Sequence, residues 1–397
     1  MPRLPRKNDP ESVRARQDAL GLPEVDVEPY TKAAESVTGL VSIPVSVAQL
    51  AVSLGEYELS EDGAVVETGR GDEEVVVPLA HTEGGLTASV QRGAKAIAES
   101  GGCRTYVIAD RITRASCFIC KSTEEAVQLA RFLDAHVAEM RRWLSERGED
   151  WISRFARLRE VETHVVGPMC HVMWAFTTGD ACGPNMMTRN AYALNMGFVL
   201  EHAPVRPERV ILEANMGGDK KPSHRYFERG GHGKTVLVEA TLSEEAVRRV
   251  LRTTVDDLLE LSFAGTHGAV ASGMQSVAFT PASAVAAIFA ATGQDLGMVG
   301  TSSMAHGTAR RVEGGIQCGL RLPGLEVGTV GGGTIFPYAQ TWLELMDCAG
   351  AGKVYRFAQV VAAATLALEI SASAAMATAG SENFFKAHHE RGGLRSS

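Results

Sequence analysis

The run from Val360 to Gly380 limits what this 397-residue chain can fold into more than any other feature. It reads VVAAATLALEISASAAMATAG and is almost wholly apolar and rich in alanine. A membrane-spanning helix needs about 20 apolar residues, but this run also carries Glu369 and several hydroxyl groups. We therefore expect a long central helix that is buried against other helices, and no membrane span.

The chain is too long for one ordinary core, since a domain holds roughly 100–200 residues. Residues 10–20 predict a short helix, so residues 1–30 form an N-terminal helical segment. Residues 116–211 read as strand, helix, strand, helix, strand, which is typical of a compact α/β unit. From residue 241 onward the pattern is mostly helical, apart from the β-like stretch GGIQCGLRLPGLEVGTVGGGT. The pattern indicates an α+β protein in which a compact α/β unit lies between two segments of different character.

Charge and cysteine content exclude several classes of protein. The net charge of −8 argues against a general nucleic-acid binder, which would carry a basic surface. The first residues, MPRLPRKNDPESVRARQDAL, lack the apolar core of a secretory signal. Among seven cysteines the only close pair is Cys117 and Cys120, in an apolar run, and we interpret both as buried thiols. Reduced cysteines are typical of a cytoplasmic protein.

Two motifs that suggest phosphate or metal binding fail on spacing. In GGHGKT the phosphate-loop pattern requires a glycine where the chain has Glu228, and no GxGxxG pattern follows a strand. The histidines lack metal-ligand spacing, and the neighbours His388 and His389 lie in a polar tail. We expect no metal.

Other polar stretches are more informative. HTEGG places Glu83 directly ahead of a predicted helix, GDKKP places Asp219, Lys220 and Lys221 together after a strand, and ATGQD places Asp295 after an alanine-rich helix. The turns TTGDACGPNMM and EVGTVGGGT contain glycines that permit close approach to a dinucleotide. Taken singly, each carboxylate is compatible with a helix cap and each lysine with a solvated surface.

Taken together and in this order, these stretches closely resemble the 3-hydroxy-3-methylglutaryl-CoA (HMG-CoA) reductase family, and its class I, eukaryotic-type catalytic domain in particular. The resemblance runs from about residue 31 to residue 392. The matching stretches are ESVTGLVSIPV, VPLAHTEGGLTAS, RITRA, SRFARL, TTGDACGPNM, GGDKKP, ATGQD, LEVGTVGGGT and FFKAHH.

The resemblance implies an architecture. A small, ferredoxin-like α/β domain that binds NADPH, residues 116–211, is inserted into a large domain that binds substrate and CoA, residues 31–115 and 212–397. In the family the active site forms between subunits, so the resemblance implies a homodimer or a homotetramer.

The resemblance also implies an activity, the NADPH-dependent four-electron reduction of (S)-HMG-CoA to mevalonate and CoA through mevaldyl-CoA and mevaldehyde. Lys220 would stabilise the oxyanion that forms as hydride reaches the carbonyl carbon. Glu83 would donate a proton, which requires burial or a nearby carboxylate to raise its pKa. Asp295 would keep Lys220 charged, and His388 would protonate the departing CoA thiolate.

The binding residues follow from the same resemblance. Arg92 corresponds to a CoA contact, and Arg114 and Lys221 to contacts with the 3-methylglutaryl carboxylate, with Asp219 nearby and Ser283 on the acyl side. The residues that correspond to NADPH contacts are Ser153, Arg154, Asp180, Gly183, Asn185, Met186, Gly331 and Gly332. A guanidinium at Arg154 would favour NADPH over NADH through the 2′-phosphate.

The departures from the family pattern lie on the acyl-binding side. Glu213 stands in place of a serine, Phe263 in place of a lysine and Ser283 in place of an asparagine. A glutamate gained and a lysine lost would disfavour an acyl chain that ends in a carboxylate. Three alternatives therefore stay open: reduction of HMG-CoA, reduction of another acyl-CoA by a paralogue, and a CoA-binding relative with little activity. The retained catalytic set argues against the last.

Overall fold

The computed structural model describes residues 4–60, 63–228 and 231–391, and it has an α+β architecture. The strands are β1 (Val45–Leu59), β2 (Val65–Ala80), β3 (Cys103–Ile119), β4 (Arg157–Val166), β5 (Met169–Thr177), β6 (Arg209–Ile211), β7 (Gly233–Ser243), β8 (His306–Val312) and β9 (Gly315–Leu325). The helices are α1 (Pro10–Leu20), α2 (Leu86–Glu99), α3 (Thr123–Ala135), α4 (Val137–Ser145), α5 (Pro184–Ala193), α6 (Leu200–His202), α7 (Glu244–Ala246), α8 (Val255–Ala271), α9 (Pro281–Ala291), α10 (Val299–Ser302), α11 (Pro337–Leu345), α12 (Val354–Ala377) and α13 (Glu382–Arg391).

Strand β3 connects two sheets. Its first half, up to Arg111, pairs antiparallel with β7 in a sheet whose strand order is β2-β1-β3-β7-β9-β8. From Ile112 onward the same strand pairs antiparallel with β5, which in turn pairs with β4, and its end also pairs with β6. The first strand expected within residues 116–211 is therefore only the end of β3, and residues 110–115 before it are buried as well. The expected domain boundary at residue 116 falls inside this strand.

Two hydrophobic cores lie on either side of this junction. One surrounds α12 and includes residues of α2, α9 and the six-stranded part of the sheet, for example Val90, Ile288 and Leu322. The other is formed by α3, α4, α5 and the β4–β5 hairpin, with Phe118 and Trp174 fully buried. Apolar residues at helical spacing on one face and at alternate strand positions produce both cores.

The predicted central helix is confirmed by α12, which begins at Val354 and packs against α2, α9 and β1. In the described part of the chain it is the one helix long and apolar enough to cross a membrane. However, 78% of its most apolar stretch of 18 residues is buried in the protein. Its carboxylate, Glu369, accepts hydrogen bonds at 2.8 Å from the backbone N–H groups of Phe279 and Thr280, so the buried charge is compensated. At Gly93 of α2 any Cβ would overlap the carbonyl oxygen of Ala367, so glycine permits the close contact of α2 and α12.

Some local expectations were wrong. The second strand of the pattern expected for residues 116–211 is the β4–β5 hairpin, because Gly167 takes a left-handed φ of 56° that closes a tight turn. The first helix of that pattern is divided into α3 and α4 at His136, whose Nδ1 lies 2.7 Å from the carbonyl of Phe132. The interpretation of Cys117 and Cys120 as buried thiols is confirmed.

Candidate functional site

A cavity of about 1250 Å³ lies between the end of α9, the start of α5, the glycine-rich turn after β9 and the segment from Tyr30 to Val45. Residues from distant parts of the sequence line it. Those that were singled out from the sequence are Arg114, Gly183, Asn185, Met186, Asp219, Lys220, Asp295, Gly331 and Gly332.

Lys220 and Asp295 form an ion pair in this cavity, with Nζ 2.8 Å from Oδ2. Asp295 is itself fixed, because its Oδ1 accepts a hydrogen bond of 2.9 Å from the backbone N–H of Gly297. The hydrogen bond to Asp295 raises the pKa of Lys220; burial opposes this increase, and Asp219 and Glu326 add to it through their charges. Lys220 is therefore an ammonium group at neutral pH, and it faces the cavity.

Arg114 is a second cation in the lining of the cavity, and both of its ion-pair partners are acidic. Its side chain is 9% exposed, and Nη1 donates to Glu213 at 2.6 Å and to Asp219 at 3.2 Å. The other oxygen of Glu213 accepts the backbone N–H of Asn215 at 2.7 Å. Glu213 thus holds Arg114 at short range. The sequence identified Glu213 as a departure but did not predict this pairing. Lys221 is exposed, outside the cavity lining, and its Nζ donates to the backbone oxygen of Asp219.

The start of α5 suits a phosphate group. Gly183 precedes the helix with φ 103°, and a Cβ there would overlap the side chain of Thr178, so this position requires glycine. Asn185 lies in the first turn, where N–H groups without helical partners and the helix dipole favour an anion. Gly331 and Gly332, both with positive φ, line the same cavity and leave open space beside their α-carbons.

Lys234, from the rejected phosphate-loop motif, is buried beneath this region. Its Nζ lies 3.5 Å from Asp110 and donates to Thr178 Oγ1 and to the carbonyl of Gly179, each at 3.2 Å. Since the side chain is 1% exposed, it supports the turn before α5 and does not reach a ligand in the cavity.

Three other predicted cofactor residues lie outside the lining. Asp180 Oδ1 accepts the backbone N–H of Val354 at 3.2 Å, so it caps the start of α12. Ser153 and Arg154 lie in the loop before β4, and Arg154 forms an exposed ion pair of 3.0 Å with Glu149.

Asn190 ties this loop to the cavity. Its amide donates to the carbonyl oxygens of Ser153 and Ala156 at 2.9 and 2.7 Å, and its oxygen accepts the N–H of Ser153. Because Asn190 belongs to α5, the loop is attached to the helix whose start lines the cavity. We did not single out Asn190 from the sequence, although an asparagine on the buried face of a helix is an available signal.

Glu83, Arg92 and Ser283 are not part of the cavity lining. Glu83 is exposed, so burial, one of the two conditions expected for a proton donor, is not found in this chain. Arg92 donates to the side chain and carbonyl of Ser371 in α12, at 2.9 and 2.5 Å. Ser283 is half-buried in the first turn of α9. His388 belongs to α13, but its side chain lies outside the described residues.

The chain resembles known proteins over nearly its whole length. The model of the family described as hydroxymethylglutaryl-coenzyme A reductase matches residues 10–392. A 3-hydroxy-3-methylglutaryl-coenzyme A reductase of Aeropyrum pernix is 35% identical over 379 residues, which are 93% of this chain and 84% of the relative. One of Pyrococcus horikoshii is 35% identical over 86% of this chain and 80% of the relative. One of Aspergillus terreus is 32% identical over 90% of this chain and 33% of the relative.

The fold is also that of a solved structure. The class II 3-hydroxy-3-methylglutaryl-CoA reductase from Streptococcus pneumoniae, bound to NADPH, superposes with a TM-score of 0.65 over 93% of this chain and 94% of that chain, at 16% sequence identity. With the family match and the relatives above, this shows that the chain belongs to the hydroxymethylglutaryl-coenzyme A reductase family.

Proposed function

We propose that the protein reduces (S)-HMG-CoA to mevalonate and CoA at the expense of two NADPH. The main support for this proposal is the Lys220–Asp295 ion pair, which lies inside a cavity that is also lined by the start of α5 and the Gly331–Gly332 turn. A fixed ammonium group next to a phosphate-binding helix start is what hydride transfer from a dinucleotide to a carbonyl requires. The names of the relatives support the same substrate.

NADPH, when bound, supplies one hydride for each of the two reductive steps. In both steps Lys220 stabilises the oxyanion that develops on the carbonyl oxygen, and Asp295 holds its ammonium group in position. Collapse of the thiohemiacetal releases CoA, and His388 protonates the thiolate. Glu83 donates the proton to the alkoxide. Because Glu83 is exposed in its own subunit, we propose that a second subunit buries it against the cavity, as in a dimeric or tetrameric assembly.

Residues 116–211 would then act as an inserted, ferredoxin-like NADPH-binding domain. Their separate hydrophobic core and the β4–β5 hairpin with its helices support this assignment. Gly183, Asn185 and Met186 would hold the phosphates, and Arg154 the 2′-phosphate in competition with Glu149. Arg92, Lys221 and Ser283 would contact the acyl-CoA. The 32% identity to the fungal relative, against 16% to the class II structure, supports class I membership.

The test is NADPH oxidation by the purified full chain with HMG-CoA. Lys220→Ala should lower kcat by at least about 10²-fold, whereas the control Lys353→Ala, which removes a lysine paired with Asp347 at the start of α12, should retain activity. Equal activity of Lys220→Ala and the parent chain would rule out the oxyanion role.

A specific observation favours a second candidate, a reductase for an acyl-CoA without a terminal carboxylate. Arg114 is already paired with Glu213 and Asp219, so a substrate carboxylate would meet two like charges before it reached the guanidinium. Measurement of kcat/KM for a panel of acyl-CoAs distinguishes the two candidate functions. Preference for HMG-CoA supports the first, and preference for a neutral acyl group supports the second. Glu213→Ser removes the shorter of the two carboxylate contacts of Arg114 and leaves Asp219 in place, so it should raise kcat/KM for HMG-CoA if Glu213 limits carboxylate binding.

A further inference from the structure

Four buried side chains lie directly behind the loop that carries Lys220. They are Thr113, Tyr226, His232 and Glu326, which we call the loop-anchoring cluster. We propose that this cluster holds the loop in its active conformation and that its members are positioning residues for the reduction. The inference rests on the proposed function, since it gives these residues a role through Lys220.

The cluster binds two consecutive carbonyl groups of the loop. Thr113 Oγ1 lies 2.9 Å from the carbonyl oxygen of Gly217, and Tyr226 donates its hydroxyl hydrogen to that of Gly218 at 2.8 Å. The loop then turns back, because the N–H of Lys221 also donates to Gly218.

Lys220 itself has φ 57°, a left-handed conformation that is unfavourable for a residue with a side chain. Such a conformation persists only where its surroundings impose it. The hydrogen bonds to the carbonyl groups of Gly217 and Gly218 fix the loop immediately before Asp219 and Lys220.

His232 links this support to a buried charge. Its Nδ1 lies 2.7 Å from Thr113 Oγ1. Nδ1 also accepts the backbone N–H of Thr113, at 3.3 Å. Nε2 lies 3.3 Å from Glu326, whose side chain is fully buried. His232 therefore lies between Thr113 and the buried carboxylate of Glu326.

A metal ion bound between these side chains would be an alternative explanation for their arrangement. Asp219, His232 and Glu326 each offer a donor atom, and these atoms lie within 4.8 Å of one another. However, Arg114 already donates to Asp219 at 3.2 Å, and the Lys220 ammonium group belongs to the next residue. A divalent cation would face both positive charges, so the geometry disfavours a metal at this position.

Hydrogen exchange of the full-length chain, followed by mass spectrometry on residues 213–222, tests the proposal together with steady-state kinetics. Thr113→Val removes the hydroxyl with little change in shape, and Tyr226→Phe removes only the hydroxyl. Each should accelerate exchange of the loop and lower kcat by about tenfold, with KM for NADPH unchanged. Thr113→Ser keeps a hydroxyl group at this position, so the exchange rate of the loop and kcat should both stay close to those of the parent chain. Thr365→Val, which removes a buried hydroxyl bonded within α12, is the matched control and should leave both unchanged.

Unchanged exchange of the loop in Thr113→Val and Tyr226→Phe would overturn the proposal, as would one equivalent of metal in elemental analysis of the purified chain. If the parent chain oxidises no NADPH with any thioester, the proposed function fails, whereas the exchange data still decide whether the cluster holds the loop.

Discussion

The carboxylate of Asp180 accepts a hydrogen bond from the backbone N–H of Val354, the first residue of the central helix α12. The first four N–H groups of a helix have no helical acceptor, and a side-chain oxygen there is worth about 0.5–2 kcal/mol. Asp180→Ala should therefore lower the free energy of unfolding by about 1 kcal/mol, measured by urea denaturation.

Asp180→Asn separates this role from cofactor binding, because the amide keeps an acceptor oxygen but loses the charge. If Asp180 also contacts NADPH, as the sequence predicts, the Kd for NADPH should change in Asp180→Asn while most of the stability is retained. If the Kd for NADPH is unchanged, the role of Asp180 is to cap α12 and not to bind the cofactor.

Gly93→Ala should destabilise the protein by about 1–3 kcal/mol, because the new methyl group forces α2 away from Ala367. Gly268→Ala is the matched control: it lies within α8 with open space around its α-carbon, and there alanine should stabilise the helix by about 0.5–1 kcal/mol. Thermal unfolding of both variants gives the comparison. Equal effects of the two substitutions would contradict close packing of α2 on α12.

Asp295→Asn should move the alkaline limb of the kcat profile to lower pH. In the parent chain the hydrogen bond to Asp295 raises the pKa of Lys220 above its ordinary 10.5, so the active ammonium form is complete at neutral pH and is lost as pH rises through that raised value. Without the carboxylate the loss begins earlier. NADPH oxidation between about pH 8 and about pH 12 spans both limbs, with Asp347→Asn, which alters the corresponding pair with Lys353 outside the cavity, as the control. Identical limbs in the parent chain and Asp295→Asn would count against the coupling.

The buried thiols should resist alkylation. Burial raises the pKa of Cys103, Cys170, Cys318 and Cys348 to about 12, and only the thiolate reacts at an appreciable rate. At about pH 8, native protein should react slowly at these four positions, whereas all seven cysteines should react in denaturant. Rapid labelling of Cys103 or Cys170 in the native chain would be inconsistent with these cores.

The sequence was most informative where a local pattern determines structure. Apolar spacing predicted α2 and the buried helix α12, and the glycines of TTGDACGP indicated the turn before α5. Contacts between residues that are far apart in the sequence produce no such local pattern. No spacing shows that Asp180 reaches Val354, or that Asn190 binds the loop at Ser153, because these contacts depend on how β3 brings two sheets together. Family resemblance supplied Lys220 and Asp295 as partners, but the pairing of Glu213 with Arg114 required the fold.

The continuity of β3 has a mechanical consequence. Arg111 and Ile112 are neighbours in one strand yet belong to different sheets, so the two cores meet through a paired β-ribbon and not through a flexible linker. A rotation of one core against the other must twist or break ladder hydrogen bonds on both sides of this point. Arg114, which lines the cavity, lies in that same strand. Any such twist is therefore transmitted directly to the guanidinium group and to the carboxylates that hold it.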